Sequence, residues 1–77
     1  MKLDAMNKKI LAIIKDAGGI ENRTAPQICK AVLKTVNVPQ REYNKRLSNI
    51  RYRLGKLERE GYLRKERVIH AWVYEIA

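Results

Sequence analysis

Between Arg46 and Arg64 the chain reads RLSNIRYRLGKLEREGYLR, and Leu47, Ile50, Leu54 and Leu57 recur every three or four positions. That spacing puts them on one face of a helix. The positions between them are basic or polar: Arg46, Ser48, Asn49, Arg51, Tyr52, Arg53, Lys56 and Arg59. Continued back through Tyr43, the pattern predicts a helix over 40–60, either unbroken or divided near Ser48. Gly61 ends it, and the period then falls from 3.6 to 2. Strands are predicted over 62–65 and 71–76, the second with Trp72, Tyr74 and Ile76 alternating against Ala71, Val73 and Glu75. Leu63, Tyr74 and Ile76 are expected to seat this pair on the helices. The connector Glu66 to His70 lacks the Asn-Gly or Asp-Gly of a tight hairpin.

Upstream, a first helix is predicted over 4–17 with Asp4 as its N-cap. Leu3, Met6, Ile10, Ile13, Ile14 and Ala17 form its apolar stripe, and Gly18-Gly19 is expected to end it in the left-handed conformation. Ile20 to Arg23 is a connector able to lend one or two residues to a small sheet. Thr24 then caps a second helix over 25–36, with Pro26 in its first turn and Gln27 completing a capping box. Ile28, Cys29, Val32, Leu33 and Val36 face inward, and Asn37-Val38-Pro39 turns the chain into the third helix. The expectation is a mainly helical α+β fold over 1–77: three helices, then a two-stranded antiparallel sheet.

Composition narrows the function. Seventy-seven residues make one small domain, and 45% apolar residues suffice for a core. A chain this short buries only about 60% of its unfolded surface, so a partner or second copy would help it. Cys29 and His70 are single, which excludes a disulfide and a structural zinc site. Cys29 lies in an apolar face and reads as a core residue. The longest apolar run, Ile10 to Ile14, is far too short to span a membrane, and no signal-peptide pattern opens the chain. A reduced cytoplasmic setting is expected, at the nucleoid or, for a viral protein, in the infected cell. No Gly-rich phosphate loop, paired carboxylates or nucleophile with a base points to an enzyme, and nothing calls for a cofactor, metal or small-molecule effector. The charge says more. Seventeen Lys and Arg against eight Asp and Glu give +9, and over half of the basic residues lie between Arg41 and Arg67. A polyanionic partner follows, nucleic acid ahead of an acidic membrane surface.

The order of elements, with the run Ile50 to Arg64, resembles the winged helix-turn-helix superfamily of DNA-binding proteins. In its small regulators the recognition helix ends in leucine, two variable residues, Leu-Glu, a charged stretch and Gly-Leu-Ile. The matching residues here are Leu54, Leu57-Glu58, Gly61 and Tyr62-Leu63. The last strand, Trp72 to Ile76, is similar to the aromatic-rich closing strand of those regulators, and the long third helix is similar to the linker-histone version. The resemblance covers about residues 5 to 76 and bears on fold more than on target. Two departures stand out. The third helix begins earlier than in the short regulators. Gly55 replaces the tyrosine that domains binding left-handed duplexes carry after the residue matching Leu54.

The resemblance implies double-stranded DNA as partner, with the third helix in the major groove and the connector between the strands as a wing. Lys45, Ser48, Asn49, Arg51 and Tyr52 are then the base-reading candidates. Arg41, Arg53, Lys56 and Arg59, with Arg64, Lys65 and Arg67 of the wing, are the phosphate candidates. Thr24 and Gln27 join them because free N–H groups at a helix start favour anions. His70 reads as a surface or wing residue, and Trp72 as packing on the domain or a partner subunit. Transcriptional regulation by a homodimer, paired through the first helix and last strand, is the expected role. The alternatives are a protein-interaction module of a larger nucleic-acid-processing complex, or RNA binding.

Overall fold

A computed structural model of the protein describes residues 3–33 and 38–77. Helix α1 (Ala5–Asp16) is followed by a 3₁₀ turn (Ile20–Arg23), helix α2 (Ala25–Leu33), helix α3 (Gln40–Arg59), and strands β1 (Leu63–Val68) and β2 (Ala71–Ile76). The molecule is therefore a small, mainly helical α+β fold with a two-stranded antiparallel sheet at its C-terminal end. Val36 and Asn37, expected in the last turn of the second helix and the turn beyond it, lie outside the described residues.

Asp4 starts α1 in an extended conformation, its carboxylate accepting the Asn7 N–H at 2.8 Å. The helix does not end on a left-handed glycine as expected. Ala17 itself turns to an extended conformation (φ −64°, ψ 130°), so reversal happens before Gly18 and needs no positive φ. Helix α3 is continuous over 20 residues, with no break at Ser48. Its end depends on Gly61, which adopts φ 88°. The Gly61 N–H donates to the Glu58 carbonyl at 3.1 Å and the Tyr62 N–H to the Leu57 carbonyl at 3.0 Å. This is the Schellman pattern, and it aims the chain back along the helices into β1.

The sheet departs from expectation in two ways. Strand β1 runs to Val68, with Arg67 opposite Trp72 and Val68 opposite Ala71, so Ile69-His70 is a two-residue turn and not the tip of a longer connector. Ile69 supplies the positive φ, 55°, that such turns usually assign to glycine or asparagine. In β2, burial does not alternate: Val73 and Tyr74 are both buried, whereas Trp72 and Ile76 are exposed. A bridge from Thr24 to Val73 adds a single residue to the free edge of β2. The strand also packs against α1 and the 3₁₀ turn, whose Glu21 lines one hollow with Thr24 and Val73.

All three helices and both strands feed one core of Ile10, Ile14, Ala25, Ile28, Cys29, Ile50, Leu54, Leu57, Leu63 and Tyr74. Each large aliphatic side chain buried there contributes about 1.5–3 kcal/mol. Burial also pushes the Cys29 thiol above its ordinary pKa, against the pull of Arg46. Among the described residues no helix is long and apolar enough to cross a membrane.

Candidate nucleic-acid interface

With Ile50, Leu54 and Leu57 sealed in the core, helical geometry turns Arg41, Lys45, Ser48, Tyr52 and Arg59 outward, and all five are exposed. They follow one another at three- and four-residue steps, apart from the Tyr52–Arg59 gap, where half-buried Lys56 sits to one side. Tyr52 is 62% exposed, well outside the usual range for a large aromatic side chain. Gly55 lies on the same side, and a side chain placed there would meet nothing within 4 Å.

Arg53 is not part of this ridge. Its Nη1 donates to Asp4 Oδ2 at 2.9 Å, to Asp4 Oδ1 at 3.1 Å and to Asn7 Oδ1 at 3.0 Å, and its Nε donates to Asn49 Oδ1 at 3.0 Å. The expected phosphate ligand is instead a tie between α3 and the start of α1, with its charge offset by Asp4. The Asp4 carboxyl is in turn held below its ordinary pKa, first by the Asn7 N–H and then by Arg53. The tie also orients Asn49. A guanidinium can only donate, so the Asn49 oxygen faces Arg53 and its NH₂ is left for other acceptors.

The hairpin has two unlike faces. Arg64 pairs with Glu75 at 2.6 Å on one of them. On the other, Lys65 and Arg67 lie over the Trp72 ring, at 4.7 and 5.6 Å from its centre. Lys65 also stands 3.8 Å from Glu58 of α3. All three basic residues of the wing are thus on strand β1, Arg67 because the strand runs further than expected, and only two of them share a face.

Between this face and the helices lies a groove of about 510 Å³ lined by Thr24, Ala25 and Pro26 at the start of α2, Arg51 of α3, and His70, Ala71, Trp72 and Tyr74 of the hairpin. Tyr74 forms a buried part of its wall. Burial raises the pKa of its hydroxyl, as does Glu58, while Arg51 pulls the other way. Arg51 forms no ion pair with any described residue. Thr24 joins Arg51 in the groove, but Gln27 does not. It lines a separate hollow with Lys9, Asp16 and Lys30, since α2 turns it toward α1.

Sequence reasoning assigned Trp72 to packing, yet the ring is 44% exposed and stands in the groove beside two cations. The strand register, had it been known, would have shown this, because it sets Arg67 directly opposite Trp72. Comparison with protein-family models, with curated proteins and with solved structures gave no match, so the residues and their geometry are what the function is read from.

Proposed function

We propose that this protein is a winged-helix protein that binds double-stranded DNA sequence-specifically and regulates transcription. Helix α3 enters the major groove, and the hairpin acts as the wing on the backbone. The observation that carries the reading is the exposed ridge Arg41, Lys45, Ser48, Tyr52 and Arg59 along one continuous helix. At 1.5 Å per residue the ridge is about 27 Å long. The major groove is about 12 Å wide, enough to admit a helix and let its outer side chains reach base edges. The net charge of +9 supports the same reading by supplying the attraction to phosphates. In this arrangement Lys45, Ser48, Asn49 and Tyr52 face the bases, while Arg41, Arg59, Lys65 and Arg67 neutralise phosphates.

Fluorescence anisotropy with a labelled random-sequence duplex, titrated at several salt concentrations, tests the proposal. Four phosphate contacts give a log–log slope of about −3.6. Selection of bound sequences from a random duplex pool should then return a preferred site. Failure to bind duplex DNA even at low salt overturns the reading. Binding without any enriched sequence would reduce it to non-specific DNA coating.

A further inference from the structure

We propose that the groove between the start of α2, the middle of α3 and the hairpin binds an unpaired nucleotide of DNA, with its base on Trp72 and its phosphate on Arg51. The inference rests on the duplex-binding reading, because the groove opens beside the α3 ridge: Arg51 directly precedes Tyr52. At about 510 Å³ the groove is within the usual size range of small-ligand sites, about 300–1,000 Å³.

Its lining has the two parts that such a ligand needs. The first is an aromatic surface. Trp72 lines the groove but Lys65 and Arg67 do not, so these cations sit on the β1 side of the ring and part of the indole remains open to the groove. Indole stacking is indifferent to base identity, since every base has a π-face. The second is a free cation at the opposite wall. Arg51 has no ion pair with a described residue and projects from the middle of α3. A guanidinium so placed matches a phosphate through two parallel hydrogen bonds. A base inside a duplex is stacked on both faces and cannot reach the indole, so the occupant is a nucleotide at an overhang or a gap.

Trp72 is the only tryptophan, so its emission reports on this site alone. The test compares a flush-ended duplex with the same duplex carrying a short unpaired overhang, by anisotropy and by tryptophan emission. The overhang should quench the emission and bind about tenfold more tightly. Trp72→Leu should bring the two affinities together, and Trp72→Phe should keep part of the preference. Circular dichroism of each variant shows that the fold is retained. Equal affinities with unchanged emission, while the flush duplex still binds, overturn this inference and leave the duplex reading standing. Quenching by a single-stranded oligonucleotide with no binding of flush duplex supports the site and overturns the duplex reading.

Discussion

Ile69 occupies φ 55° at the tip of the hairpin, where a β-branched side chain is strained, and it is 82% exposed, so nothing is recovered by burying it. Ile69→Asn should therefore stabilise the protein by about 1 kcal/mol. The check is a higher urea midpoint at constant slope. Arg53 acts in the opposite sense. Its loss leaves the buried Asn7 oxygen without a donor, and Arg53→Ala should cost about 1–3 kcal/mol. The same node gives a pH dependence. Asp4 titrates lower in the folded chain than in the unfolded one, so its carboxylate stabilises the fold above the ordinary carboxylate range near 4. That contribution is lost as pH falls through the lower folded value. Asp4→Asn keeps a good capping side chain without the charge. Urea midpoints should accordingly fall less steeply with acid in Asp4→Asn than in the parent.

At the scale of the element, α3 offers the same substitution with opposite signs. Gly55→Ala adds a methyl into open space on a helix surface and should stabilise by about 1 kcal/mol. Gly61→Ala forces a side chain into φ 88° and should destabilise by about 1 kcal/mol or more, both read by thermal or urea unfolding. If α3 lies close against DNA, Gly55→Ala should also weaken duplex binding while raising stability. These two glycines show what sequence can convey. Gly61 was legible because it stands where a helical period stops and a strand period starts, and the leucine face of α3 was legible for the same reason of spacing. The end of α1 was not, since Ala17 turns the chain before either glycine. The uneven burial of β2 was not legible either, since the strand's neighbours, Thr24 and the 3₁₀ turn among them, lie far upstream and no local period records them. For the site, the outward ridge follows from the leucines by geometry alone. The capture of Arg53 by Asp4 and Asn7 does not, because it joins residues far apart in the chain.

For the whole molecule the dominant quantity is the charge of +9, set against ion pairs that are mostly exposed and weak. Self-repulsion then outweighs attraction. Raising the ionic strength from about 0.01 M to about 0.15 M should increase the melting temperature, and a polyanion should do so at much lower concentration. A fall with salt would mean that the ion pairs govern stability instead. The Thr24–Val73 bridge has a further consequence, for how the chain comes together. Helices and a two-residue hairpin form from neighbours and are fast. The bridge joins the beginning of α2 to the last strand, so it can close only when the hairpin arrives on helices already docked. Its loop-closure entropy is met late, after the local contacts have formed, so the bridge belongs to the last part of folding. Substitutions at Val73 should speed unfolding and leave the folding rate nearly unchanged.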